Sequence, residues 1–347
     1  MMGQEHIRNI ALLEGAEVAA VADPDEGMRT SAALLAGARA YADHREMLAA
    51  GGLDALIVGA PNHLHHSIML EALEAGLPIL CEKPLGISGA ECREIEAKAA
   101  ATGTSVWVAM EYRFMPPVAR LIEAARRGDA GRLRMLSIRE HRFPFLEKVG
   151  DWNRFSANTG GTLVEKCCHF FDLMRLILGA EPVRVYASGA MDVNHVDERY
   201  DGAKPDILDN AYVIVDFEGG ARAMLDLCMF AEGSYWQEAI SATGDAARLD
   251  AYIPGPARFS KDGKERGSEF AISRRDEKVE RREEVEVDHA ILGAGDHHGS
   301  TFFQHQKFLA MVRDGGAPEV SLADGRRAVE IGEAAEKSAR TGEVQRL

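Results

Sequence analysis

The sequence has no long apolar run: nothing in its 347 residues approaches the roughly 20 consecutive apolar residues that a membrane-crossing helix requires. It has no cysteine framework either. Cys81, Cys92, Cys167, Cys168 and Cys228 show neither a paired pattern nor zinc-type spacing, which predicts reduced thiols in a cytoplasmic protein. Positive charge is in deficit, 40 Lys and Arg against 55 Asp and Glu, and the net −15 argues against a nucleic-acid or anionic-membrane partner. No internal repeat, low-complexity linker or signal peptide is visible. What is left, 46% hydrophobic and 27% charged residues, is a globular composition. The length suits two domains, at about 150 residues each.

One more absence is local. The chain is helical in pattern from its start through Leu13, and a strand is expected over 17–22, ending on Asp23-Pro24. A dinucleotide-binding unit begins with a strand, a glycine-rich turn and a helix, then a second strand ending on an acid that holds the ribose hydroxyls. The helix, the second strand and the acid are here; the first strand and the turn are not. Asp23 lies 20 positions after Gly3, close to the spacing from the glycine fingerprint to that acid. Gly3 therefore reads as the last glycine of a G-x-G-x-x-G that starts upstream of Met1. The alternative is that Met1 is the true start and Asp23 a turn residue before a proline.

The pattern then alternates. Helices are expected over 27–36, 43–50, 67–75 and 88–101, and strands over 38–41, 53–60, 78–81 and 105–110, which predicts βαβ units and a parallel sheet. The strand over 78–81 stops abruptly on Glu82-Lys83-Pro84. Proline disfavours a helical conformation at Lys83, so the lysine sits on an extended corner. Strand ends of this kind face the ligand crevice of an open parallel sheet, although a solvated surface ion pair explains the same residues.

The second half changes character. After an amphipathic helix over 118–127 come long period-2 stretches at 133–142, 183–191, 210–217, 222–228 and 237–243, with an exposed, charge-rich hairpin over 264–288. Within it, Gly160-Gly161 precedes an apolar stretch from Leu163 to Leu178 with the length of a buried helix. Glu165, His169 and Asp172 then share one face, where a carboxylate one turn away fixes an imidazole tautomer and raises its basicity. Thr162-x-x-Glu165 is equally a capping box, His169 alone reads as a core histidine, and Asp172 as a residue bonded within its helix. Lys166 either depresses the pKa of a neighbouring lysine or points to solvent. The histidines at 63, 65 and 66, and Asp296-His297-His298, present no ligand set on one known face, so no metal is expected.

Taken in order, Pro61-Asn62-x-x-His65, Ala72-Leu73-x-Ala75-Gly76, Glu82-Lys83-Pro84-Leu85, Tyr112-Arg113-Phe114-x-Pro116, Gly160-Gly161 through His169-x-x-Asp172, and the final Asp324-Gly325 helix resemble the glucose–fructose oxidoreductase/inositol dehydrogenase (Gfo/Idh/MocA) family. The resemblance covers nearly the whole chain. It implies a Rossmann-type α/β dinucleotide-binding domain over 1–116, lacking its first strand, and an α+β domain over 117–347 with a large, open, mixed and mostly antiparallel sheet. By the same resemblance Lys83 polarises a substrate oxygen, His169 takes the proton and Glu165 assists. Gly3, Asp23, Pro61, Asn62, His65, Glu82, Lys83 and Arg113 would hold NAD, in preference to NADP because a carboxylate at Asp23 repels a 2′-phosphate. Lys83, Arg113, Trp152, Arg154, His169 and His298 would contact a sugar or cyclic polyol. A homodimer or homotetramer through the second domain's sheet is implied too. The chain departs from the family in two places: Glu165 stands where an aspartate is usual, and Lys166-Cys167-Cys168 replaces a neutral, glycine-containing stretch. Two other classes stay open, an NAD-dependent glycosidase of the same family and a non-catalytic or decayed relative.

Overall fold

The computed structural model describes residues 2–347, in two compact units. The first comprises the described residues up to Gly86, Ala90–Phe114 and Val287–Arg326, the second Ile87–Gly89, Met115–Glu286 and Arg327–Leu347.

The first unit opens on helix α1 (Met2–Ile10). Short strands and helices then alternate: β1 (Ala20–Ala22), α2 (Glu26–Ala36), β2 (Arg39–Tyr41), α3 (His44–Ala50), β3 (Leu56–Val58), α4 (Asn62–Ala72), β4 (Ile79–Cys81), α5 (Gly89–Thr102) and β5 (Val106–Val108). Side chains set the helix starts. Asp25 accepts the Met28 N–H at 2.8 Å and Asp43 that of Arg45 at 2.7 Å, while Gly37 ends α2 in the left-handed conformation. Helix α4 starts at Asn62, earlier than the expected 67, because Pro61 leads straight into its first turn.

All pairing in this unit is parallel, but in two sheets: β1 with β2, and β3–β4–β5. Among the described residues no strand joins them, so the element missing from the sequence pattern is a break in the sheet. Burial follows that break. Ile79, Leu80 and Cys81 on β4 are fully buried, whereas α2 buries no residue and leaves Leu34 84% exposed.

The second unit begins with α6 (Pro116–Arg126), whose prolines stand in the first turn, where no N–H is needed. It continues through β6 (Leu133–His141), α7 (Ser156–Thr159), α8 (Thr162–Glu165), α9 (Cys168–Leu178), β7 (Pro182–Ala190), β8 (Asn210–Phe217), β9 (Arg222–Cys228), β10 (Trp236–Gly244), β11 (Ala247–Pro254), β12 (Ser268–Arg274) and β13 (Val279–Val285). Helices α10 (His289–Gly293) and α11 (Ser300–Asp314) belong to the first unit, and α12 (Leu322–Thr341) and β14 (Gln345–Arg346) end the chain. Nine strands form one sheet in the order β13-β12-β11-β10-β6-β9-β8-β7-β14, antiparallel except for β6 with β9. Alternation along β8 shows its two faces: Ala211, Val213 and Val215 are buried under helices, while Tyr212 and Ile214 are exposed. Helices α6 and α9 pack on the buried face, and Ser338 of α12 accepts the Ala187 N–H at 2.9 Å.

Candidate active site

In the first unit the Lys83 corner is built from its neighbours inward. The Glu82 N–H still bonds the Val58 carbonyl at 2.8 Å, and the chain turns at Lys83, whose peptide bond to Pro84 is cis. His65 of α4 stands under the turn, its Nδ1 2.7 Å from the Pro84 carbonyl and its Nε2 2.9 Å from that of Ala60. Either tautomer therefore fastens one carbonyl. Burial pushes its pKa below the ordinary imidazole value, which keeps the ring neutral.

Glu82 turns its carboxylate back over the corner, accepting the Lys83 N–H at 3.1 Å and lying 3.0 Å from His6 Nε2. Burial opposes the charge on Glu82, but the adjoining His6 imidazole, with the charge of Lys83 behind it, outweighs it and holds the carboxyl below its usual range. His6 Nδ1 lies 2.8 Å from Nε2 of His305 on α11, and burial, then the neighbouring His6, keep His305 neutral. Beside them Glu5 accepts from His297 at 2.7 Å and Thr301 at 2.9 Å. Desolvation works against its charge, yet these donors bring the pKa down to about 2. Glu111 shows the opposite balance: burial, and then the charge of Glu82, push it up to about 7. The lysine corner thus has one carboxylate held ionised and another poised near neutrality.

The remaining first-unit residues named from sequence stand as follows. Asp23 follows β1; its N–H bonds the Tyr41 carbonyl at 3.1 Å and its carboxylate accepts the Asp25 N–H at 2.9 Å. Gly3 lies within α1, its nitrogen about 4.0 Å from where a side chain on Gly59 would begin. Pro61 and Asn62 start α4, and Asn62 Nδ2 is a buried donor with no protein acceptor. Arg113 is buried, donating to the Glu319 carbonyl at 3.1 Å and facing Asp324 at 3.4 Å. His298 adopts a left-handed φ of 50°. Strand ends carrying Asp23, Asn62 and Glu82-Lys83, with a spare buried amide among them, fit the ribose and nicotinamide ends of a dinucleotide. Sequence reading missed Glu5, His6, Glu111, His297 and His305. Glu5 with His297 and His6 with His305 pair across nearly the whole chain, and no local spacing announces them.

In the second unit the expected single helix over 163–178 is two. The hydrogen-bond ladder widens at Cys167, whose N–H reaches the Thr162 carbonyl at 3.4 Å, and tightens at Phe170, bonded to Cys167 at 2.9 Å. Glu165 consequently ends its own turn and does not share a continuous helical face with His169 and Asp172. The capping box is also corrected: Gly161 is the N-cap of α8, the Thr162 hydroxyl donates to the Leu208 carbonyl at 2.7 Å, and the Leu163 N–H is taken by Glu336 of α12 at 2.8 Å. Glu165, His169 and Asp172 are all buried.

Lys166 does not face solvent. It runs into the core to Glu140 of β6 at 2.8 Å, which accounts for the break in the helix. Glu238 stands opposite Glu140 in the β10–β6 register and accepts from Gln237 at 2.6 Å. Burial, and then the Glu140 charge, push Glu238 up to about 7, against the lowering pull of Lys166 and Arg142. Arg154 is committed to framing its loop, with Glu198 at 3.1 Å, Asn153 at 3.2 Å and the Phe145 carbonyl at 3.4 Å, and Trp152 beside it is half-buried. Among the described residues no group of three or more His, Cys, Asp or Glu side chains is placed to hold a metal.

The raised carboxyl has a consequence for stability. A folded-state pKa above the unfolded value stabilises the fold fully below about pH 4.5, and that contribution is lost as pH rises through about 7. Glu238→Gln is therefore expected to gain on the parent chain between pH 5 and 8 (~2 kcal/mol, levelling off above neutrality). Urea unfolding at several pH values checks this; parallel curves for the two chains would refute it.

The comparisons with known proteins bear on both units. A family model described as "Oxidoreductase family, NAD-binding Rossmann fold" matches residues 1–110, and one described as "Oxidoreductase family, C-terminal alpha/beta domain" matches 122–346. The rhizopine catabolism protein MocA of Rhizobium meliloti is 32% identical over 52% of this chain and 55% of its own length. Inositol 2-dehydrogenase 2 of Saccharopolyspora erythraea is 32% identical over 68% of this chain. The match spans 65% of that relative, so both alignments cover less than two thirds of the relative's length. Among solved structures, levoglucosan dehydrogenase in complex with NADH and levoglucosan superposes with a TM-score of 0.82 at 20% identity, over 100% of this chain and 96% of that one, which shows a shared fold. No helix among the described residues is long and apolar enough to cross a membrane.

Proposed function

The chain belongs to the Gfo/Idh/MocA oxidoreductase family, and from that premise we propose that it is an NAD-dependent dehydrogenase moving hydride between a nicotinamide and a carbinol carbon of a sugar or an inositol-like cyclic polyol. The observation that carries the reading is the Lys83 corner, clamped by His65 and Glu82 at the end of a buried strand. Residues 1–116 are assigned to the cofactor and 117–347 to substrate and assembly. Bound NAD supplies the hydride acceptor, with Asp23 on the adenosine ribose and Asn62 and Glu82 on the nicotinamide side. Lys83 polarises the substrate oxygen and so lowers the cost of removing its proton. His169 accepts that proton, and Glu165 favours the protonated imidazole.

Assembly into a homodimer or homotetramer is assigned to the open sheet face. Tyr186, Ile214 and Met224 stand side by side across β7, β8 and β9, exposed by 41%, 52% and 37%, an apolar row of the kind that self-associating sheets cover. A cytoplasmic location is supported by the five cysteines, none of which is paired. The test is NADH accumulation during a screen of sugars and polyols, run in parallel with NADP. One NADH per substrate oxidised, with NAD the better cofactor, is expected. Bond cleavage in a glycoside without net NADH would identify a glycosidase instead, and failure to bind either dinucleotide a non-catalytic relative.

A further inference from the structure

Within the second unit, the segment that carries Glu165 and His169 is gripped from outside by helix α12. Leu163 sends its N–H to the Glu336 carboxylate at 2.8 Å, and that carboxylate stands where a side chain on Gly161 would go. One turn earlier, Gly332 brings the α12 backbone against the same segment. A Cβ there would stand 2.7 Å from the Leu163 carbonyl oxygen and 3.0 Å from Val164 Cα. The helix that makes the grip is itself fixed. Val329, Ile331 and Ala335 are fully buried, and Ser338 holds the Ala187 N–H of β7 at 2.9 Å. Side chains placed on so firmly packed an element hold what they touch.

The grip is passed along the segment by main-chain hydrogen bonds. The Gly161 carbonyl accepts the Glu165 N–H at 2.9 Å, and the Thr162 carbonyl accepts that of Lys166 at 2.9 Å. The Cys167 carbonyl then accepts the N–H groups of Phe170 and Phe171 at 2.9 and 3.0 Å. The turn that holds His169 is therefore built on the end of the turn that Glu336 holds.

Glu336 is also a carboxyl kept where its charge is opposed. Burial pushes its pKa up to about 7, with the charge of Asp206 acting in the same direction, against the Leu163 N–H and Arg340, which favour the ionised form. Cys167 is the remaining titratable group beside it, and burial raises that thiol, which keeps it neutral. As a carboxylate Glu336 makes a charge-assisted bond to Leu163; as an acid it accepts the same N–H more weakly.

We propose that Glu336 is a positioning residue for the acid–base pair, setting where Glu165 and His169 stand by holding the main chain at Leu163. The roles of Glu165 and His169 rest on the dehydrogenase reading, whereas the geometry rests on the second unit alone. Activity gains a component that rises with pH, because the grip tightens as Glu336 ionises on passing upward through about pH 7.

The experiment measures NADH formation by the full chain from pH 5.5 to 9, with NAD and a panel of myo-inositol, glucose and galactose. The parent is compared with Glu336→Gln, Glu336→Ala and Glu333→Gln, and the His169 imidazole is titrated by NMR in all four. Glu336→Gln keeps an acceptor without the charge. It should stay within about twofold of the parent at pH 6 and lack the rise in kcat, roughly 3- to 10-fold, that the parent shows above neutrality. Glu336→Ala leaves the Leu163 N–H without its acceptor, and should lower kcat by roughly 10- to 100-fold while KM moves less. Glu333, on the same helix, accepts the Gly89 N–H at 2.8 Å, and Glu333→Gln should keep the parental pH profile and His169 titration. Parental profiles and His169 titrations in both Glu336 variants overturn the inference. An equal change in Glu333→Gln also overturns it, since the effect would then be helix docking alone. If Glu336→Ala does not fold, Glu336→Gln decides by the same two readouts. A parent that forms no NADH across the panel counts against the dehydrogenase reading instead. The His169 titration then decides the positioning role: moved in Glu336→Gln it supports the role, unmoved it sinks it.

Discussion

Lys83→Met is expected to lower turnover by roughly 10²- to 10⁴-fold, the range for removing a positioned proton-transfer or polarising group, while NAD binding survives. The separation between the two effects follows from the corner. Its shape is held by main-chain and neighbouring groups: His65 on the Pro84 carbonyl, and Glu82 on the Lys83 N–H and on His6. None of these contacts uses the ammonium, so methionine, of similar length, leaves the backbone course intact. Steady-state NADH formation and NAD calorimetry on the same preparation measure both halves; turnover within tenfold of the parent would remove Lys83 from the chemistry.

The largest effect on stability is expected at the glycine pair before α8. Gly160 has a φ of 79°, and a Cβ there would stand 2.5 Å from the Ile87 carbonyl and 2.8 Å from Val164 Cγ1. The first obstacle is main chain and cannot rotate away. Gly160→Ala therefore adds left-handed strain, about 1–2 kcal/mol, to an overpacking cost of about 1–3 kcal/mol. At about 2–4 °C per kcal/mol the melting temperature should fall by roughly 10 °C, and kcat should drop as the Glu165–His169 segment shifts. Gly179, which caps α9 at a φ of 59° with open space around it, provides the control. Gly179→Ala should show the strain term alone. Similar melting of the two variants would mean that the contact with Ile87 is not restrictive.

The contrast between these sites and the rest of the molecule explains what could be read from sequence. The Lys83 corner was legible because an apolar run ending in two charges and a proline has few conformations open to it. Strands β8 and β9 were legible for a similar reason, since their period-2 burial is written one residue at a time. Helix 163–178 was misread because its apolar pattern is continuous and the break comes from outside it: Lys166 is drawn to Glu140, a partner on another element. Glu336 taking the Leu163 N–H overrode the Thr162 cap in the same way. The Glu5–His297 and His6–His305 contacts were invisible, as each half is an ordinary helix or loop residue until the fold brings the other to it.

The divided sheet of the first unit also grades its mechanical strength. β4 and β5 are sealed in the core, whereas the β1–β2 pair and α2 contribute no fully buried side chain, so little apolar area resists their separation. Opening there is a local event, with a free energy well below that of global unfolding. Asp23 sits on that lobe. A dinucleotide that grips Asp23 at one end and the Asn62–Lys83 region at the other would act as a tether between the two sheets, and its binding energy would be registered as slower amide exchange in β1, β2 and α2 before any change in the core.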